Sequence, residues 1–314
     1  LAIGVKRVYP YITEVGDVWT AVDIGLPFCQ FLCLLESSTG RVLGGGGGVT
    51  SSGGGTAFRK SDTNGTSWAI VGCSISSLII SNLFQTATGR ILATGTHIMK
   101  SDDDGDTWNP IAGTSYNFNI ANIVQTASGK MFAVANGLIY NTIDDGDNWT
   151  TSSFPSTSFQ KLLYTGGTRI LAFGIANTIL YRYSNNDGSS WNYAYLPAGD
   201  VYTPIKLSSG RVLAIGEGGN LVYSDDDGAT WDSGSIGGLT GFKAICQATT
   251  GRVIATRYPY DGIGVIVSDD DGETWNQISI PYLQPWQCCY ALSTGRVLAG
   301  SLSGQPTETV MYSK

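Results

Sequence analysis

Acidic side chains are the first groups in this chain whose spacing suggests chemistry. Four octapeptides concentrate them: SDDDGDTW at 101–108, TIDDGDNW at 142–149, SDDDGATW at 224–231 and SDDDGETW at 268–275. Two looser copies, SDTNGTSW at 61–68 and SNNDGSSW at 184–191, carry Thr63 and Asn186 where the others carry Asp103, Asp144, Asp226 and Asp270. Runs such as Asp102-Asp103-Asp104-Gly105-Asp106 look like half of a calcium loop. They lack the alternating ligands and the closing bidentate glutamate of such a loop, so no metal is expected there. The expected role is a self-satisfying turn. The Asp or Asn side chain accepts backbone N–H bonds, the Ser or Thr hydroxyl does the same, and the glycine takes up a positive φ. The tryptophan folds its indole beneath the hairpin as an apolar anchor, contributing roughly 3–5 kcal/mol if fully buried.

Catalytic groups must come from elsewhere. Eighteen of the 25 acids lie in these boxes or in the remnant described below, leaving Asp23, Glu36, Asp200, Glu217, Asp232, Asp261 and Glu308. Glycoside hydrolysis needs two carboxyl groups about 5–9.5 Å apart. Asp200, Glu217 and Asp261 are the candidates for a hydrolase, although no spacing singles them out. A single histidine, His97, argues against histidine-rich metal sites and a Ser-His-Asp triad. A binding constellation is more visible. Arg257-Tyr258-Pro259-Tyr260-Asp261 precedes the fifth of the boxes that follow Trp68, and Tyr282-Leu283-Gln284-Pro285-Trp286 follows it. Tyr258, Tyr260, Tyr282 and Trp286 offer flat rings, while Arg257 and Gln284 offer polar groups, a mixture that suits a sugar. The glycine run Gly44–Gly48 lacks the Lys-Ser/Thr and helix of a phosphate loop and reads as a flexible loop.

The elements that must position these groups follow from periodicity. From Trp68 the box tryptophans recur after 40, 41, 42, 40 and 44 residues. Between boxes runs a second signal, Gly-Arg or Gly-Lys before an apolar run, at Arg41, Arg90, Lys130, Arg211, Arg252 and Arg296, with the variant Thr168-Arg169. Units of about 40–45 residues with four short strands define propeller blades, which bury both sheet faces by radial stacking. In blade two the strands are expected at 83–86, 91–93 and 97–100 and after Trp108. The chain is thus expected to be all-β: a seven-bladed β-propeller of four-stranded antiparallel blades, one domain over 1–314. Six boxes serve seven Gly-Arg-like turns, so the missing box is split between the chain ends. Tyr312-Ser313-Lys314 begins it and Glu14-Val15-Gly16-Asp17-Val18-Trp19 finishes it. A strand from Thr20 then closes the last blade, and residues 1–12 are free to act as an N-terminal arm. Trp19, Trp68, Trp108, Trp149, Trp191, Trp231 and Trp275 share one repeat position; Trp286 alone is outside it. The turn cations are expected beside the box carboxylates on one face, each exposed pair contributing about 0–1 kcal/mol.

These boxes resemble the Asp-box, or bacterial neuraminidase, repeats of sialidases, xyloglucan-active glycoside hydrolases, sortilin-type receptors and the photosystem II assembly factor of the thylakoid lumen. The resemblance covers nearly the whole chain and implies a propeller whose boxes lie on the face away from the active site. It does not imply sialidase activity. Those enzymes use an arginine triad, and beyond the turn cations only Arg7, Arg59, Arg182 and Arg257 remain, of which Arg257 alone is well placed. Their Arg-Ile-Pro element is also absent, as is the arginine-rich patch of the photosystem factor.

Composition bounds the remaining possibilities. The chain has 314 residues, 42% of them apolar and 14% charged, with a net charge of −7. Nothing basic enough to displace phosphate counterions is present, which excludes nucleic acid as a partner. No apolar stretch is long enough for a membrane helix. Cys29, Cys33, Cys73, Cys246, Cys288 and Cys289 follow no CxxC spacing and read as buried thiols. Cys288 and Cys289, adjacent on a strand, point to opposite faces. The chain starts at Leu1, consistent with removal of a leader or with a fragment. The expectation is an extracellular, virion or cell-surface module without cofactor. It binds glycans or partner proteins, or decorates a larger particle or homo-oligomer. The alternative is a glycoside hydrolase of non-sialidase type.

Overall fold

The computed structural model describes residues 19–22, 31–47, 58–73, 75, 78–111, 120–135, 138–151, 159–174, 180–199, 201–216, 218–258, 263–278, 285–301 and 310–313. All regular elements among them are strands. The first, β1 (Trp19–Val22), stands apart in sequence from its sheet. Then come β2 (Cys33–Glu36), β3 (Val42–Gly45), β4 (Phe58–Ser61) and β5 (Ala69–Val71), followed by β6 (Ile80–Gln85), β7 (Ile91–Gly95), β8 (Ile98–Ser101) and β9 (Asn109–Pro110). Next are β10 (Ile120–Gln125), β11 (Met131–Ala135), β12 (Leu138–Thr142) and β13 (Thr150–Thr151), then β14 (Phe159–Gly166), β15 (Arg169–Gly174), β16 (Leu180–Ser184) and β17 (Asn192–Tyr195). The series continues with β18 (Val201–Lys206), β19 (Val212–Gly216), β20 (Leu221–Ser224) and β21 (Asp232–Gly234), and with β22 (Phe242–Gln247), β23 (Val253–Arg257), β24 (Val265–Ser268) and β25 (Asn276–Ile278). It ends with β26 (Trp286–Ala291), β27 (Val297–Ser301) and β28 (Val310–Ser313).

Six blades are whole modules: β2–β5, β6–β9, β10–β13, β14–β17, β18–β21 and β22–β25 each form a four-stranded antiparallel meander, continuous in the chain. A further four-stranded sheet is a composite ordered β1-β28-β27-β26, in which Trp19 pairs with Ser313 and Val22 with Val310. Seven equivalent modules is therefore too simple a description. Six are complete and one is assembled from distant segments. The innermost strands β2, β6, β10, β14, β18, β22 and β26 pack each against the next, and β26 returns against β2. That closes the ring. Strand one of the second blade begins at Ile80, earlier than periodicity indicated, because a bulge between Ile80 and Asn82 adds a residue that breaks the apolar alternation. The same bulge recurs in β10, β14, β18, β22 and β26.

The core is divided among the blade interfaces. Each of seven buried apolar clusters draws on two neighbouring sheets, such as Phe58, Val71, Ile80, Ile91 and Trp108 between the first and second. Strand two is buried along its length, as in Val212–Gly216, because both its faces meet a neighbour. The glycine run is corrected here. Gly44 and Gly45 lie within β3, where a Cβ on Gly44 would fall 2.1 Å from the Phe31 ring and one on Gly45 would fall 2.4 Å from Ile80. The position needs glycine for close packing rather than for flexibility.

Each box is a two-residue left-handed turn. Asn64, Asp104, Asp145, Asp187, Asp227 and Asp271 have φ between 52° and 58°, and the glycine after each is also positive. That glycine has a second reason to lack a side chain. A Cβ on Gly105 would sit 2.7 Å from Leu43 of the preceding blade, one on Gly188 would sit 2.2 Å from Phe132, and one on Gly65 would sit 2.6 Å from Leu298 of the composite sheet. The Gly-Arg glycines, such as Gly129, share the positive φ but face open space. Gly129→Ala is expected to cost about 1 kcal/mol from backbone strain alone. Gly188→Ala should cost at least about 2 kcal/mol more, because the buried Phe132 ring must shift. Urea unfolding of both variants checks this, and equal losses would contradict the interlock.

Candidate functional site

Of the binding constellation expected around Trp286, the described residues Trp286 and Arg257 are buried. Trp286 has no exposed area. Its register opposite Ser301 places it where Ile80, Phe159, Val201 and Phe242 stand in other blades, all buried. All these strands share the bulge, and Trp286 stands nine residues before its turn glycine Gly295, as Ile80, Val201 and Phe242 stand before Gly89, Gly210 and Gly251. Arg257 is 1% exposed and occupies the position held by Gly95, Gly174, Gly216 and Ser301. Its Nε donates to the Thr240 carbonyl at 2.7 Å and its Nη1 to the Ile263 carbonyl at 3.0 Å, so it ties two loop segments together. Tyr258 is half-buried, and its backbone N–H donates to Gly241. Tyr260, Tyr282 and Gln284 lie outside the described residues, as do the hydrolase candidates Asp200, Glu217 and Asp261.

The acidic boxes form turns and blade contacts. Asp103 accepts from Ser101 Oγ (2.8 Å), the Thr107 N–H (2.8 Å) and Thr107 Oγ1 (2.6 Å), while the Gly105 N–H donates to Ser101 Oγ. Asp144, Asp226 and Asp270 repeat this pattern. Asn186 substitutes for the carboxylate by accepting from Ser184 Oγ and the Ser190 N–H, both at 2.9 Å. The cations reach further than sequence showed. Arg41 Nε donates to Asp62 in its own blade at 2.8 Å, while its Nη1 donates to the Asp104 carbonyl (3.0 Å) and to Asp106 (2.8 Å) in the next. Arg90 and Arg211 do likewise, Arg169 and Lys130 reach carbonyls of the next box, and Arg296 bonds the Asn64 carbonyl across the ring closure. Hydrogen bonding to Asp62, Asp102 and Asp225 pushes the Arg41, Arg90 and Arg211 guanidinium groups above the usual arginine range. The clefts between these turns, one of about 520 Å³ lined by Lys206, Arg211, Asp225, Asp271 and Glu273, are open and carry ion pairs. No cluster of three or more metal-ligating side chains occurs among the described residues.

The indoles differ from expectation in one respect. Trp19 and Trp108 are buried, whereas Trp68, Trp149, Trp191, Trp231 and Trp275 are half-buried. Several pack against the preceding blade rather than only beneath their own hairpin: Trp108 stacks on Phe58 at 4.0 Å, and Trp231 meets Phe173 edge-on at 5.8 Å. On the inner strands, burial lowers the Lys161 amine below the usual lysine range, and the Cys33 thiol is close enough to oppose that shift.

Sequence reasoning missed the rim of the fourth blade. Tyr193 and Tyr195 on β17 are 57% and 62% exposed, with ring centroids 6.1 Å apart and nearly perpendicular planes. Arg182, paired opposite Tyr193, lies 5.7 Å from that ring's centroid. Among the described residues the other outer strands carry no exposed aromatic ring: Trp19 on β1 is buried, and β9 and β13 are Asn109-Pro110 and Thr150-Thr151. The signal was present as the alternating pair in Asn-Tyr-Ala-Tyr after the box, two rings on one face of an edge strand.

Comparison with known proteins is consistent with this architecture. Residues 152–296, just under half the chain, match the DUF6242 beta propeller domain. No curated protein sequence matches the chain. Among solved structures, YCF48 bound to D1 peptide is similar over 96% of each chain at 17% identity, with a TM-score of 0.71. The extracellular domain of the one-component system BT4673 of B. thetaiotaomicron is 12% identical, with a TM-score of 0.73 over 94% of this chain and 40% of that one. A Niastella koreensis GH74 enzyme is 16% identical, with a TM-score of 0.65 over 92% of this chain and 43% of that one. At these identities the likeness is one of fold: a β-propeller. No helix among the described residues is long and apolar enough to cross a membrane.

Acid should loosen the box turns. Burial opposes the charge on Asp226 and Asp144, but hydrogen bonds from Thr230 and Ser224, and from Thr142 and Asn148, outweigh it and hold both carboxyls down to about 2. Because the folded values lie below the unfolded ones of about 3.9, this stabilisation is complete above roughly pH 5 and disappears as pH falls through about 2. The urea midpoint should therefore drop between pH 5 and 2. Asp226→Asn, which copies the carboxamide solution of Asn186, should fold at neutral pH and show a smaller drop. An unchanged drop would assign the acid sensitivity to other groups.

Proposed function

We propose that this chain is a non-catalytic recognition module, displayed outside the cell or on a particle surface, that binds glycans or partner proteins. The observation that carries the reading is the exposed Tyr193–Tyr195 pair, which the blade repeat does not require. Large aromatic rings held in water at these fractions offer flat apolar faces for the C–H bonds of a pyranose, with the phenol hydroxyls for its polar edge. The box-face carboxylates support the same reading from the other side. Those bonded into turns and cations are already neutralised in structural roles. The self-capping hairpins, repeated six times, support placing the chain among Asp-box propellers, and neighbours that are extracellular domains support an outer location. Residues 1–12 are proposed as an arm for docking on a neighbouring subunit or larger particle, the rest of the chain being one propeller domain. Tyr258, with Tyr260, Tyr282 and Gln284, remains a second proposed contact surface on the loop face.

A glycan microarray probed with the wild-type chain, the double variant Tyr193→Ala/Tyr195→Ala and Tyr258→Ala tests this reading. Binding by the wild type that falls at least tenfold in the rim double variant, with unchanged thermal unfolding, is the expected outcome. Retained binding by the double variant with loss in Tyr258→Ala would move the surface to the loop face. Release of reducing sugar, abolished by Asp200→Asn, Glu217→Gln or Asp261→Asn, would replace the proposal with the hydrolase alternative.

A further inference from the structure

The cysteines are arranged around the composite sheet in a way that the turn and core arguments do not use. Cys289, on β26, directs its sulfur toward the sixth blade, where Sγ lies 3.9 Å from the Ile254 carbonyl. Cys246 of β22 belongs to the buried cluster of that same interface, against which Cys289 packs. β22 and β26 are the adjacent inner strands of the sixth blade and the composite sheet. The neighbouring Cys288 points the opposite way, its Sγ 3.6 Å from the Phe31 carbonyl. Cys33 points onward again, to the Ile80 carbonyl at 3.9 Å. Cys288 and Cys33 occupy equivalent blade positions and face the same rotational direction, so their sulfurs do not converge. Cys73 is half-buried, with its thiol donating to the nearby Ile75 carbonyl at 3.2 Å.

We infer that Cys246 and Cys289 form a disulfide that locks the sixth blade to the composite sheet under oxidising conditions. All five described cysteines are free in the structure. The oxidant is a small disulfide such as oxidised glutathione. Cys289 is half-buried and Cys246 buried, so Cys289 reacts first. Its thiolate attacks one sulfur of the reagent, forms a mixed disulfide and releases one reagent thiolate. Cys246 then loses its proton and attacks the Cys289 sulfur, expelling the second reagent thiolate. Two protein thiols are oxidised to one disulfide, and one reagent disulfide is reduced to two thiols. Burial holds the Cys289 thiol well above the usual range, so closure is slow in the folded protein at neutral pH and faster in alkali or during refolding.

The link joins residues 43 positions apart across the interface beside the noncovalent seam between β1 and β28. Its effect is to hold β26 in place when β1 separates. A cross-link here restricts the opened ring more than the closed one.

The test is peptide mapping after refolding the full chain in reduced and oxidised glutathione, with free thiols blocked by N-ethylmaleimide. The expected product is a single peptide pair joining Cys246 to Cys289, with Cys33, Cys73 and Cys288 alkylated. It should disappear in Cys289→Ser. The oxidised wild type should also melt roughly 5 °C or more above its reduced form, with no such difference in Cys246→Ser. Full alkylation of Cys246 and Cys289 after oxidative refolding, or a different pairing, would overturn the inference. Because the readout is made on wild-type protein, a variant that fails to fold does not affect it.

Discussion

At six blade junctions among the described residues an amide backbone without a side chain lies against a buried leucine or phenylalanine of the preceding sheet, and the ring depends on that fit. Gly65 over Leu298, Gly105 over Leu43 and Gly188 over Phe132 show the same contact at three places, including the ring closure. The left-handed residue before the glycine and the Ser–Asp hydrogen bonds around it hold the turn in the one shape that brings the glycine down onto its neighbour. Box chemistry and core packing are therefore one device. The turn stabilises itself locally, and in doing so presents an indole and a bare backbone to the adjacent blade. The turn cations add direction, since Arg41, Arg90, Arg169 and Arg211 each span from their own box to the next, but exposed pairs of this kind are individually weak. Their collective effect is to set register around the ring.

This economy shapes where function can sit. A face whose acids and bases are consumed in staples offers few groups to a ligand, whatever the size of its clefts. The opposite face and the rim are released from those duties. On the rim, strand four of each blade is free to vary because it pairs with strand three alone, and only in the fourth blade does it carry two exposed rings. Arg257 shows the converse. A charged side chain at a position of small residues serves as a tie between loops, with its guanidinium bonded to carbonyls rather than offered outward.

Much of the architecture was legible because local bonding encodes it. The Ser, Asp, Gly and Trp of each box act within eight residues, so their period reports blade length directly, and the split box pointed to the pairing of Trp19 with Ser313. What stayed hidden depended on contacts far apart in sequence or on register. The reach of Arg41 to Asp106 spans 65 residues. Trp286 looked exceptional because it lies outside the box position, yet its counterparts are Ile80 and Phe242, which stand at the same distance from their turn glycines. Gly44 and Gly45 read as loop residues because the side chains they accommodate, Phe31 ahead of β2 and Ile80 of the next blade, lie outside their own stretch of sequence. Tyr193 and Tyr195 were passed over because alternation on an outer strand carries no sign of which side meets water.

The composite sheet also sets how the molecule responds to tension. Trp19 and Ser313 are opposite one another at the same end of an antiparallel pair. A pull applied through the segments before Trp19 and after Ser313 thus loads the rungs one after another, in the manner of a zipper, instead of all at once in shear. Stretched along its own chain, the ring should yield first at this join and at modest force, while its six continuous blades are still intact.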